Sequence, residues 1–204
     1  MTRTTPRSRM SFGAADRAFL SIVLGIGAIA VAITAVGVPL WRWINGDPIP
    51  VTYDGDATAP ALDSAQLKYD FGSAQVEVPS QGATAHLAFL LPGLLIAALM
   101  ITGLWLIHAV ARDVSAGRPF RPQNVRRLRA LSALLIVGGI AVPFASSAGD
   151  IVVISQAGLT DLLQPNGFSV QISFLPLVLG LLTAVISEAF AAGSRMREDL
   201  EGVI

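Results

Sequence analysis

Residues His86 to Val110 contain no Asp, Glu, Lys or Arg. A helix over such a run, at ~1.5 Å per residue, exceeds the ~30 Å hydrocarbon core of a bilayer. Three further apolar runs share this character. Ala18 to Trp41 and Ala130 to Ala148 also lack those four residue types, and Phe174 to Ala192 carries only Glu188. Inside hydrocarbon every backbone polar group must be satisfied within the segment, so each run is expected to be helical. The chain is 14% charged, against about a quarter in soluble domains. Apart from Glu188, its charges lie in the tails and connecting segments outside the four runs.

These observations predict an all-α integral membrane protein with four transmembrane helices. The expected segments are a tail over 1–17, spans over 18–41, 86–110, 130–148 and 174–192, connecting segments over 42–85, 111–129 and 149–173, and a second tail over 193–204. A basic tail before an apolar run also resembles a signal peptide. Here the run is longer than the usual ~7–15-residue signal core and further spans follow, so it reads as a retained span.

The charges set an orientation. With both termini in the cytoplasm, only Arg42 and Lys68 of the 14 Lys+Arg fall outside. Bases collect on the cytoplasmic side of membrane proteins, which predicts a multi-pass cell-membrane protein with both ends inside. Asp47, Asp54, Asp56, Asp63, Asp70, Glu77, Asp150 and Asp161 then lie outside. Trp41 and Trp43 suit the far interface, where an indole buries its ring and keeps its N–H hydrogen-bonded.

The outer segment 42–85 carries a β-hairpin signal. Leu67, Tyr69 and Phe71 alternate with Lys68 and Asp70, Ala74, Val76 and Val78 alternate with Gln75 and Glu77, and Gly72-Ser73 lies between as the turn. A lone hairpin is marginal, so it is expected to pack on other outer segments. At the end of the third span, Asp150 is either a buried carboxylate or an interface residue beside Ser146-Ser147 and Gly149.

The loop between spans two and three is strongly basic, with Arg112, Arg118, Arg121, Arg126, Arg127 and Arg129. Pro119 and Pro122 break an arriving helix, and Pro122 suits the first position of a new one. Arg126, Arg127 and Arg129 then fall on the first turns of span three at headgroup depth, where anionic lipid phosphates meet them, with a protein or nucleic-acid partner as the sharper alternative. In the first span Ser21, Gly25, Ala28 and Ala32 share one helix face. Small residues there permit close helix approach, either in a homo-oligomer or within the chain's own bundle.

Gly117-Arg118-Pro119-Phe120 with Asn124-Val125-Arg126-Arg127-Leu128-Arg129, and the ending Glu188-Ala189-Phe190, Gly193, then Arg197-Glu198-Asp199-Leu200-Glu201-Gly202-Val203, form a signature. The chain resembles an uncharacterised bacterial family of four-span membrane proteins, a domain of unknown function. Its members are often encoded beside a small helix-turn-helix regulator, so the resemblance implies a regulatory pairing. It carries over no catalytic residue.

No chemistry-bearing constellation is visible. Phosphate-cradling glycine loops, paired histidines and a nucleophile elbow are absent, and there is no cysteine. His86 and His108 are too far apart along one helix to share a metal. The expectation is therefore no enzyme, no cofactor, no metal site and no direct nucleic-acid binding. A sensory or regulatory partner of a cytoplasmic regulator is the leading reading. The candidate interaction residues are Arg118, Phe120, Asn124, Arg126, Arg127, Arg129, Glu188, Glu198 and Asp199. A small transporter or exporter accessory, built on Glu188 as a lone intramembrane acid, is the alternative. An immunity or envelope-stress protein is a third. Glu188 is the carboxylate least able to stay charged and unpaired, so it calls for an arginine partner.

Overall fold

The computed structural model describes residues 14–53, 68–70, 73–79, 82–160 and 170–201. The first helical segment comprises α1 (Ala14–Ala32), one wide π-type turn over Ile33–Gly37, and α2 (Val38–Asn45). Three strands follow, β1 (Ile49–Tyr53), β2 (Lys68–Asp70) and β3 (Ser73–Val78). Three long helices complete the described residues, α3 (Gly82–Ser115), α4 (Pro122–Gln156) and α5 (Phe174–Glu201). Among the described residues, four helical stretches are long and apolar enough to cross a membrane.

Successive long helices run antiparallel. Gly93 of α3 lies against the carbonyl of Ala35, Gly149 of α4 against that of Ala88, and Gly180 of α5 against Ile136 and Ser132. The start of α1, the α3–α4 connection and the end of α5 therefore share one end, called here the arginine end. The strands occupy the other, the sheet end. Central α4 packs on both α3 and α5, and α1 packs chiefly on α3.

Packing depends on glycine because hydrocarbon offers no hydrophobic gain for pressing helices together. Close van der Waals contact and interhelical hydrogen bonds must supply the attraction. A Cβ added at Gly149 would stand 2.7 Å from the Ala88 carbonyl oxygen, and one at Gly138 would stand 2.9 Å from Leu99. Beside Gly180, the buried Ser132 hydroxyl donates to the Gly180 carbonyl at 2.8 Å. The outward faces stay apolar, with Phe19, Ile26, Trp105, Leu181 and Val185 all exposed. Such a surface suits lipid as its solvent.

Placement of the first helix corrects one expectation. Ser21, Gly25 and Ala32 are exposed and only Ala28 is half-buried. Nothing lies within 4 Å of a Cβ built on Gly25. The face turned to α3 is instead the one carrying Leu24, Gly27, Ala28, Val31 and Ala35, all half-buried. The proposed seam is thus not the contact inside the chain's own bundle.

The sheet is antiparallel with order β1-β3-β2. β2 and β3 form the expected hairpin, but Asp70 pairs with Ser73, so Ser73 belongs to the strand and not to the turn. A third strand joins it, with Ile49 opposite Val78 and Val51 opposite Val76. Pro50 is tolerated because β1 is an edge strand, where a missing N–H breaks no ladder. Ile49, Val51 and Val78 are buried on Ala85 of α3 and on Val153 and Ile154 of α4. The apolar run Ile151–Ile154 therefore continues α4 beyond Ala148, and part of it forms the floor beneath the sheet. Asp150 is half-buried within this helix. His86 is buried, its ring 5.4 Å from that of Trp43 and its Nδ1 3.2 Å from the Gly82 carbonyl oxygen.

Gly93→Leu should force the α1–α3 crossing apart, an overpacking cost of about 1–3 kcal/mol, even though leucine is the better helix former. Gly25→Leu should change stability by less than ~0.5 kcal/mol. Thermal midpoints of the two purified variants in detergent check this. Equal losses would contradict the assignment of the packed face.

Candidate functional site

At the arginine end, α3 stops in a defined way. Gly117 has φ +72, a left-handed conformation that a side chain would strain. Its N–H donates to the Val114 carbonyl at 3.0 Å, and that of Arg118 donates to the Asp113 carbonyl at 3.0 Å. This pair of bonds is a Schellman cap, which turns the chain sharply away from the helix axis. The new helix begins at Pro122, as expected, after Arg121 in extended conformation. Between these points the chain wraps around two buried polar side chains, Asp113 and Asn124.

Asp113 lies one turn beyond Ala109 on the face of α3 turned to α4, with its side chain 5% exposed. The Arg127 guanidinium donates from Nη1 to Asp113 Oδ2 at 2.6 Å. The same nitrogen lies 3.0 Å from Asn124 Oδ1 and 3.3 Å from the Ala109 carbonyl oxygen. Arg121 Nη1 reaches Asp113 Oδ1 at 3.4 Å, and Arg118 Nη2 lies 3.9 Å from that oxygen. Asn124 is 0% exposed. Its Nδ2 donates to the carbonyls of Arg118 and Pro119 at 3.3 and 3.1 Å. One carboxylate and one amide thus hold both the backbone and the arginines of the loop. A buried carboxylate is tolerable only with such partners.

A second contact ties the loop to α5. The Phe120 ring lies 5.7 Å from that of Phe190 at an interplanar angle of 53°. It also covers Gly193, where an added Cβ would stand 2.6 Å from the ring. Arg129 Nη2 donates to Glu188 Oε1 at 2.7 Å, with side-chain exposures of 57% and 62%. This supplies the arginine that Glu188 called for.

The expected site residues separate accordingly. Asn124 and Arg127 are internal struts. Assigning Arg127 to lipid phosphate is therefore corrected, since its charge is spent on Asp113. Arg118 is partly committed, Arg129 is paired, and Arg126 is exposed. Glu198 and Asp199 lie on α5, and their side chains fall outside the described residues. Asp113 was missed, although it is the single acid in a segment holding six arginines. Among the described residues no group of three His, Asp or Glu side chains is placed to hold a metal. The arrangement offers guanidinium groups in fixed positions, a means of anion recognition.

A bundle of membrane-length helices, clasped at one end and capped by a small sheet at the other, defines a multi-pass integral membrane protein. Within that class, the family described as "Protein of unknown function (DUF2975)" matches residues 60–204, and the chain belongs to it. No curated protein and no solved structure matches the chain. The matched region contains the whole clasp, with Phe120, Phe190 and Gly193.

The Phe120–Phe190 contact can be measured directly. A double-mutant cycle with Phe120→Leu and Phe190→Leu should return a coupling of about 0.5–1.5 kcal/mol. Additive losses would mean that the rings do not meet in the folded protein.

Proposed function

We propose that this chain is a regulatory membrane protein whose arginine end faces the cytoplasm and engages a cytoplasmic partner protein, with the sheet end outside. The observation that carries this reading is the built shape of the α3–α4 loop. A segment that only joined two spans would need neither a buried Asp113 nor a fully buried Asn124. Fixing a basic loop against α5 presents Arg118, Phe120 and Arg126 in constant geometry beside the tail. Preorganised groups lose less entropy on binding, which favours recognition of a partner. The orientation is supported by the collection of bases at this end. The regulatory pairing implied by the sequence resemblance supports the choice of partner class.

The role is proposed as non-enzymatic. A transporter reading drew on Glu188 as a lone intramembrane acid. Glu188 is exposed and paired with Arg129 at the arginine end, so that support is withdrawn.

Because the chain has no cysteine, single cysteines report without background. Cysteine at Ser64 should react with an impermeant thiol reagent in intact cells, and cysteine at Gln123 should react only after permeabilisation. A photo-crosslinking residue at Gln123 should then capture one soluble protein, and the same probe at Trp105 should not. Labelling of Gln123 from outside would reverse the orientation. Absence of any Gln123-specific product across growth and stress conditions would sink the regulatory reading.

A further inference from the structure

Most of the described arginines of this end fall into two sets by what they touch, with Arg112 exposed on α3 and outside both. Arg118, Arg121 and Arg127 converge on Asp113. Arg126, Arg129 and Arg195 are exposed. Of these three, only Arg129 has an ion-pair partner among the described residues, the equally exposed Glu188. Arg126 and Arg129 are neighbours on α4 at helical i,i+3 spacing, and Arg195 lies about two turns beyond Glu188 on one face of α5. The Arg129–Glu188 contact brings the two faces together. The result is a rim of three guanidinium groups and one carboxylate where α4 and α5 reach the arginine end.

Both faces continue toward mid-bundle as apolar strips. Val137 and Ile140 on α4 are 61% and 42% exposed, and Leu181 and Val185 on α5 are 61% and 69% exposed. A cationic rim leading directly onto uncovered hydrocarbon-facing side chains fits a ligand with an anionic head and apolar tails. Free phosphate would use only the rim. An acidic peptide would gain nothing from strips at hydrocarbon depth.

We infer that the rim of α4 and α5 binds an anionic phospholipid, with its phosphate on Arg126, Arg129 and Arg195 and its acyl chains along the apolar strips beyond them. The phosphate takes Arg129 from Glu188, so Glu188 weakens the site and sets its affinity. The Asp113 clasp contributes by turning Arg127 inward, away from the rim. This site goes beyond the regulatory role proposed above, and binding in detergent solution depends on neither the orientation nor a protein partner.

The test uses the full chain purified in neutral detergent and titrated with phosphatidylglycerol, phosphatidylcholine or inorganic phosphate, with native mass spectrometry as the readout. Phosphatidylglycerol should bind at least ~10-fold more tightly than phosphatidylcholine, and inorganic phosphate should not displace it. Replacing Arg126, Arg129 and Arg195 together by Gln should weaken phosphatidylglycerol binding by ~10-fold or more. Replacing Arg3, Arg7 and Arg9 by Gln removes the same charge and should leave binding unchanged. Glu188→Gln should strengthen binding by about 2–5-fold, a direction that misfolding does not produce. The inference is overturned if the tail variant loses as much as the rim variant. It is also overturned if phosphatidylcholine binds equally, if inorganic phosphate alone displaces the lipid, or if Glu188→Gln weakens binding.

Discussion

A carboxylate buried at the end of a membrane helix must be surrounded by opposite charge or it will not stay buried. Asp113 meets this requirement with Arg127 at 2.6 Å and Arg121 at 3.4 Å. The consequences extend through the arginine end. Arg127 sits on the second turn of α4, so the ion pair fixes the start of α4 against the end of α3. Its remaining contacts, to Asn124 and the Ala109 carbonyl, place the Asn124 amide where it can hold the loop carbonyls. With the loop held, Phe120 is carried onto Gly193 and Phe190 of α5. Asp113 thereby turns Arg127 inward, to 21% exposure, while Arg118, 3.9 Å away, stays 55% exposed.

The rest of the bundle obeys a different constraint. Lipid is as apolar as the helix surfaces, so the helices gain little by hiding large side chains from it. The interior instead contains Gly93, Gly138, Gly149 and Gly180, which allow close approach, and Ser132, which hydrogen-bonds across it. Large apolar residues face outward, an inversion of the soluble pattern. At the sheet end, Ile49, Val51 and Val78 cover Val153 and Ile154 in a small conventional apolar core.

This contrast explains what could be read from the residues alone. Spans are legible because exclusion of charge over such lengths has few other causes. The hairpin was legible from its alternation, and Pro122 from its fit to a helix start. The need of Glu188 for an arginine followed from its depth. Asp113 was not legible because a count of charges treats an acid among arginines as one more solvated group, and its inward direction depends on the rotation of α3. The Ser21–Gly25 face misled because lipid-facing and helix-facing surfaces are both apolar, so small residues do not reveal their neighbour. The third strand was hidden by Pro50, which discourages a strand assignment unless the strand is known to lie at an edge. Ile151 to Ile154 gave no hint that part of it would support a sheet distant in sequence.

Asp113 organises the arginine end. Amide hydrogen exchange on the full chain in detergent tests it most directly, comparing the native sequence with Asp113→Asn. The Arg118 and Asn124 amides, bonded to the Asp113 and Arg121 carbonyls, should exchange at least ~10-fold faster in the variant through local opening. Amides near Gly149 and Val78, at the sheet end, should be unaffected. Unchanged exchange at Arg118 and Asn124, or an equal rise throughout the chain, would contradict it.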